Sequence, residues 1–183
     1  MGHFSKYKGT SGSDTFLGTP NNDLIFGGKG DDTLRGHNGS DIIFGGWGDD
    51  ILGGGAGSDW VFGGKGNDTI VGGEGHDFLV GGKGNDTLVS ANGFDILVGG
   101  SGADTFRVDN NGDGGLVWDF NASEGDKIDI PPGFDFADAQ IVDNGSGWRG
   151  VTITFYDESG AAGPMITLAH VQQPSDVSAA WFV

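Results

Sequence analysis

The sequence predicts an all-β chain: a stack of short strands joined by glycine-rich turns, followed by a small, largely antiparallel β cap. Three observations carry this. Eleven nonapeptides follow one another without a gap from Gly9 to Arg107. Each has Asp at its sixth position and a large apolar residue at its eighth. After Arg107 the period stops, and strand-like runs alternate with turn signals. Repetition at a fixed period is read before secondary structure because it decides the whole architecture. The chain therefore divides into a lead (1–8), a repeat array (9–107) and a cap (108–183).

Residues 1–14, MGHFSKYKGTSGSD, contain no 7–15-residue apolar stretch, so no cleavable leader is read there. No run in the chain approaches the ~18 apolar residues of a membrane span. Cysteine is absent, which excludes disulfides and thiolate metal sites. The 26 acids outweigh 9 bases, for a net charge of −17, and only Glu74, Glu124 and Glu158 are not Asp. Such a polyanion is excluded as a nucleic-acid or anionic-membrane binder and expects cations or a basic partner.

In the array the best copies read GGKGDDTLR (27–35), GGKGNDTIV (63–71), GGEGHDFLV (72–80) and GGKGNDTLV (81–89). The sixth-position residues are Asp14, Asp23, Asp32, Asp41, Asp50, Asp59, Asp68, Asp77, Asp86, Asp95 and Asp104. The eighth-position residues are Phe16, Ile25, Leu34, Ile43, Leu52, Val61, Ile70, Leu79, Leu88, Leu97 and Phe106. Glycine makes up 39 of 183 residues, about three times its usual ~7% share, and sits where a turn needs φ > 0. The remaining three positions form a short strand whose middle side chain faces inward and whose flanks face outward. One turn reverses the chain and the next returns it. A coil then takes two repeats, and the array makes five and a half coils, about 26 Å tall at ~4.8 Å per coil.

This nonapeptide resembles the RTX repeat of secreted calcium-binding proteins, over residues 9–107. The resemblance implies a right-handed parallel β-roll with calcium held between the turns of neighbouring coils. It also implies the ligands: the Asp of both turns, carbonyls at positions 1 and 3 of one, and carbonyls at positions 2 and 4 of the other. On the consensus odd-numbered turns these carbonyls fall on Gly27, Lys29, Gly45, Gly46, Trp47, Gly48, Gly63, Gly64, Lys65, Gly66, Gly81, Gly82, Lys83, Gly84, Gly100 and Gly102.

The residues themselves also call for a cation. Asp residues 18 apart stack one coil apart, and each pair repels by up to ~3.5 kcal/mol at ~4.8 Å and an effective dielectric of ~20. Calcium suits a donor set of carboxylates and carbonyls, because it takes 6–8 oxygens at flexible geometry. Magnesium wants stricter octahedra, and zinc wants His or Cys, whereas His3, His37, His76 and His170 show no ligand spacing. The odd rail (Asp14, Asp32, Asp50, Asp68, Asp86, Asp104) has five gaps and the even rail (Asp23, Asp41, Asp59, Asp77, Asp95) has four, for up to nine ions. Three even turns depart from consensus: GTPNND (18–23), GHNGSD (36–41) and SANGFD (90–95). A stronger odd rail is expected, with weak or vacant even sites near Asp23 and Asp95. Without calcium the glycine- and Asp-rich tract reads as disordered.

The two outer faces differ. The odd face carries a threonine ladder, interrupted by Arg35, Ile51, Gly53 and Arg107. Cross-strand contacts explain it better than ice binding does. The even face presents Leu24, Phe26, Ile42, Phe44, Trp60, Phe62, Phe78, Val80, Ile96 and Val98, too much apolar surface to leave in water. Packing against the C-terminal segment, an N-terminal element or a second copy is expected, with a protein or glycan partner surface as the alternative.

Cap strands are read at Leu116–Phe120, Lys127–Ile130, Val151–Tyr156, Met165–Ala169 and Ala179–Val183. LVWDF (116–120), GDKIDI (125–130) and FADAQ (136–140) resemble the cap that follows RTX repeats in serralysin-type metalloproteases. Asp109 and Asp113 are read either as a last calcium site or as an exposed acidic turn. The ending DVSAAWFV is similar to the uncleaved C-terminal signal by which RTX proteins leave through type I secretion machinery.

No HExxH, GxSxG or triad pattern is present, and the pairs Asp31–Asp32 and Asp49–Asp50 each commit one member to the rail, so no catalytic residue is assigned. The reading is a secreted, non-catalytic calcium-binding module, with the Met1 start favouring a stand-alone protein. The alternatives are the folding and secretion module of a larger protease, lipase or epimerase, and a calcium-dependent adhesion or polysaccharide-binding module.

Overall fold

A computed structural model describes residues 4–108, 114–143, 150–157, 159–171 and 176–183. Asp109 and Asp113 lie outside the described residues.

Fourteen strands alternate between two parallel sheets. One sheet stacks β1 (Ser5–Lys8), β3 (Asp23–Lys29), β5 (Ile42–Trp47), β7 (Trp60–Lys65), β9 (Phe78–Lys83), β11 (Asp95–Ser101) and β13 (Gly115–Val117). The other stacks β2 (Thr15–Leu17), β4 (Thr33–Asn38), β6 (Ile51–Ala56), β8 (Thr69–Glu74), β10 (Thr87–Ser90), β12 (Thr105–Val108) and β14 (Lys127–Asp129). The register steps by 18 residues: Ile25 pairs with Ile43, Ile43 with Val61, and Val61 with Leu79. Two strands make a coil, so the solenoid has seven. The repeats alone give five and a half, and β1, β13 and β14 supply the rest. Tyr7, Val117 and Ile128 continue the inward column without belonging to a consensus repeat.

The eighth-position column is the core. Ile25 through Phe106 are all within 1% of complete burial, and only Phe16, at the first coil, is partly exposed, stacked on Tyr7 at 3.9 Å. The strands are longer than expected. They run on through the first three residues of the next repeat, as in Ile42–Trp47, because the first-position glycine alternates inward behind the apolar residue.

The last sheet strand, β17 (Ala162–Ala169), adds parallel to β13. β16 (Gly150–Tyr156) and β15 (Gln140–Asp143) then fold back antiparallel. Two of the five expected cap strands, at 116–120 and 127–130, are thus coils of the parallel stack. β15 was not expected, and the expected strand at 179–183 is a short 3-10 turn at Ala179–Trp181 followed by a single parallel bridge from Phe182 to Ile128. Val183 closes this end, its N–H donating to Ile128 O and its carbonyl accepting from Ile130 N–H. Phe182 stacks on Phe136 at 4.4 Å.

The even face packs on itself along the axis. Phe26, Phe44 and Phe62 form a stack with centroids 5.1 and 4.9 Å apart, and Trp60 tilts against Phe78. Trp60 stays 56% exposed. The cap meets this sheet at its edge, through β13 and β17.

Candidate metal centre

The site begins with the glycines. Positions 2 and 4 of a consensus turn sit at positive φ, +121° at both Gly64 and Gly66, where an L side chain is strained. Position 1 is glycine for a different reason. A methyl built on Gly63 would lie 2.2 Å from Asp68 Oδ2 and 2.7 Å from Gly81 O of the next coil. A carboxylate oxygen and a carbonyl oxygen of the coil above therefore converge on the space that a Cβ would fill. The same convergence recurs at Gly27, Gly36, Gly45, Gly54 and Gly81.

The aspartates form two continuous rails. On the odd rail each Oδ1 accepts the N–H of the Asp one coil below: Asp32 from Asp14 at 2.7 Å, Asp50 from Asp32 at 2.8 Å, Asp68 from Asp50 at 2.9 Å, Asp86 from Asp68 at 2.7 Å and Asp104 from Asp86 at 2.9 Å. The even rail repeats this through Asp23, Asp41, Asp59, Asp77 and Asp95 at 2.7–2.8 Å. The second oxygen is the exception. Oδ2 of Asp32, Asp41, Asp50, Asp59, Asp68, Asp77 and Asp86 is buried and accepts no hydrogen bond. Orphaned buried acceptors are rare because each costs about 1–3 kcal/mol, more if charged. Seven in fixed register call for a ligand.

The carbonyls have a direction along the axis that the sequence reading left open. Trp47 O accepts from Gly30 N–H and Thr10 O from Lys29 N–H, so position 3 points down the axis and position 2 points up. Gly45 O faces Gly27, and Gly30 O faces Gly48. In each gap the upper turn thus offers positions 1 and 3 and the lower turn positions 2 and 4. Gly27 O faces Gly9, in the first gap.

Desolvation dominates the electrostatics. It pushes the carboxyls of Asp50 and Asp59 up to about 7 and those of Asp41, Asp68, Asp77, Asp86 and Asp104 up to about 6. The amide donated from the coil below opposes this, and like-charged neighbours on the rail add to it. A cation in the gap reverses that balance. Among the described residues no three His, Asp or Glu side chains converge as a ligand cluster. The donor set is two carboxylates and four carbonyls per gap, all hard oxygens, which fits calcium and not zinc.

Sequence reasoning missed two features. Asp126 extends the odd rail: its Oδ1 accepts Asp104 N–H at 2.9 Å and its Oδ2 accepts Asn121 N–H. Beside it, Asp119 accepts the N–H groups of Gly99 and Gly100, and Glu124 that of Gly102. The signal was present, since NASEGDKID (121–129) carries Asp at six and Ile at eight, but it lacks the glycines at positions 1, 2 and 4 and starts four residues late. The second feature is an outer ladder at position 5. Asp49 N–H donates to Asp31 Oδ1, Asn67 N–H to Asp49 Oδ1 and Asn85 N–H to Asn67 Oδ1; on the even side His76 Nδ1 accepts Phe94 N–H. Asp31 and Asp49 thus each hold the backbone of the coil above.

Models of the RTX calcium-binding nonapeptide repeat match residues 8–43, 17–52, 29–61, 53–88 and 80–114. None of the curated proteins matches the chain. Among solved structures, a subunit of the mannuronan C5-epimerase of Azotobacter vinelandii is similar at 21% identity and TM-score 0.38, over 96% of this chain and 80% of that one. The extracellular lipase LipA of Serratia marcescens is similar at 18% identity and TM-score 0.36, over 96% of this chain, which spans 40% of the lipase. With family models covering more than half its length on the rails just described, the chain belongs to the family built on RTX calcium-binding nonapeptide repeats.

Proposed function

We propose that the chain is a secreted, non-catalytic module that folds around calcium outside the cell after export through a type I system. The observation that carries this is the set of seven buried Oδ2 atoms, six of them converging with the first-position carbonyl of the coil above. When bound, the ion supplies the positive charge that lets stacked carboxylates stay ionised in a dry interior. The protein supplies the cage. In each gap the lower turn gives its Asp and the carbonyls of positions 2 and 4, and the upper turn gives its Asp and those of positions 1 and 3. Gly45, Trp47, Gly63, Lys65, Gly81 and Lys83 serve from above, and Gly46, Gly48, Gly64, Gly66, Gly82 and Gly84 serve from below.

The same chemistry supports the export reading. Where calcium is scarce the rails repel and the glycine-rich turns stay disordered, which suits passage through a channel. Extracellular modules bind calcium at about 10⁻⁴–10⁻³ M and fold on arrival. No helix among the described residues is long and apolar enough to cross a membrane. The ending DVSAAWFV is assigned as the export signal.

Far-UV circular dichroism under calcium titration tests the reading. A coil-like spectrum in chelator, a cooperative β signal at millimolar calcium and no substitution by magnesium are expected. A protein that keeps its native spectrum and melting temperature after exhaustive metal stripping at neutral pH would falsify it.

One observation favours a second role for the same molecule. The Phe26–Phe44–Phe62 stack with exposed Trp60 is a flat aromatic face suited to a glycan or protein partner. Pull-down on glycans, lost on Trp60→Ala with folding intact, tests it.

A further inference from the structure

Three of the eleven rail aspartates differ from the rest. At Asp14 and Asp23 the second position of the turn is threonine, not glycine, and its side chain occupies the carboxylate. Thr10 N–H and Oγ1 donate to Asp14 Oδ2 at 2.6 and 3.0 Å. Thr19 N–H and Oγ1 donate to Asp23 Oδ2 at 2.5 and 3.0 Å. At Asp95 the first-position residue is Ser90, fully buried, whose hydroxyl donates to Asp95 Oδ2 at 2.7 Å.

The threonine hydroxyls also engage a second oxygen that an ion would need. Thr10 Oγ1 lies 3.3 Å from Gly12 O and Thr19 Oγ1 lies 3.3 Å from Asn21 O, the fourth-position carbonyls. Those carbonyls are turned from their usual course. In higher turns a methyl built at the fourth glycine meets the fourth-position carbonyl oxygen of the coil below at 1.7–2.3 Å, as Gly48 meets Gly30 O and Gly57 meets Gly39 O. At Gly30 the nearest atoms are instead Gly12 C and Ser13 N, and at Gly39 they are Asn21 C and Asn22 N. Neither Thr10 nor Thr19, nor Gly12 at position 4, has the positive φ of its consensus counterparts.

We infer that Thr10 and Thr19 are built-in substitutes for calcium. They close the gaps Asp14/Asp32 and Asp23/Asp41, so the array takes ions only in the seven gaps above Asp32, Asp41, Asp50, Asp59, Asp68, Asp77 and Asp86. Ser90 ends the even rail in the same way. In the folded roll the base is then closed by hydroxyl and amide hydrogen bonds in place of an ion, while the middle coils are closed by calcium. The two rails become nearly equal, with four open gaps on the odd side and three on the even.

The inference rests on the calcium-roll reading, and the test separates the two. Thr10→Gly turns GTSGSD into GGSGSD, a full consensus turn, because Gly12 is already in place. By native mass spectrometry in calcium it should bind one ion more than the wild type, whereas Thr10→Ser should bind the same number. Thr19→Gly alone should add none, since Pro20 and Asn21 still occupy positions 3 and 4; Thr19→Gly/Pro20→Lys/Asn21→Gly should add one. Equal calcium counts in wild type and Thr10→Gly sink the inference and leave the roll standing. No calcium in any variant sinks the underlying reading. Should Thr10→Gly fold poorly, anomalous scattering from a calcium-grown wild-type crystal decides: an ion between Asp14 and Asp32 or between Asp23 and Asp41 overturns the proposal.

Discussion

Two glycine-to-alanine substitutions ten residues apart should move the protein in opposite directions. Gly63 and Gly53 have no positive φ, so backbone freedom distinguishes neither. At Gly63 the new methyl would sit 2.2 Å from Asp68 Oδ2 and 2.7 Å from Gly81 O, both fixed within the rail. Overpacking of this kind costs about 1–3 kcal/mol. Displacing the ion from that gap at a hundredfold excess over its Kd removes a further ~2.7 kcal/mol. At Gly53 the methyl meets only Arg35 Cγ, at 3.7 Å, on the open outer face of β6. There the lower entropy of the unfolded chain should stabilise by about 0.4–1 kcal/mol. Thermal melts in millimolar calcium read both: Gly63→Ala should lower Tm by roughly 7–23 °C and Gly53→Ala should raise it by about 1–4 °C, at ~2–4 °C per kcal/mol. Native mass spectrometry should show one ion fewer in Gly63→Ala only. If both variants fall together, or if Gly63→Ala keeps its full calcium count, the claim that position 1 is glycine to make room for the site is wrong.

Other expectations follow from the same geometry. His37 holds φ +89° at a position where seven of the other turns use glycine, so His37→Gly should raise Tm by about 1–4 °C; a fall would mean that its side chain matters more than its backbone. The carboxyls of Asp41, Asp50, Asp59, Asp68, Asp77, Asp86 and Asp104 rise from 3.8 to about 6–7 on folding, so the metal-free roll is favoured below pH 4 and loses that support as pH climbs through 7. Metal-stripped protein should therefore gain β signal by circular dichroism between pH 8 and pH 5, and the opposite trend would contradict the burial of the rails. Deleting Trp181–Val183 removes the bonds of Val183 to Ile128 and Ile130 and the packing of Phe182, and should lower Tm by about 4–12 °C. An unchanged Tm would show that the tail is not part of the fold.

The sequence alone determined whatever the nine-residue period repeats. The inward column from Ile25 to Phe106, the two Asp rails, the two-repeat coil and the parallel stacking all follow from side-chain alternation in strands and glycine in turns, and the structure places them in that register. What the period does not repeat was decided by the tertiary structure. Ser5 stands in register with Asp23, and Asp126 joins its rail 22 residues after Asp104, so the solenoid runs past both ends of the repeats. The up-or-down sense of each carbonyl depends on which coil supplies its hydrogen bond. Whether a threonine at position 2 is a harmless variant or a plug depends on where its hydroxyl falls against a carboxylate four residues on. Valine at the chain's end becomes a bonding partner for Ile128 only because the last coil leaves an open edge there. Local chemistry repeated at a fixed step is legible because each copy corroborates the next, whereas a contact made once, across an irregular spacing, has no copy and is set only by the packed chain.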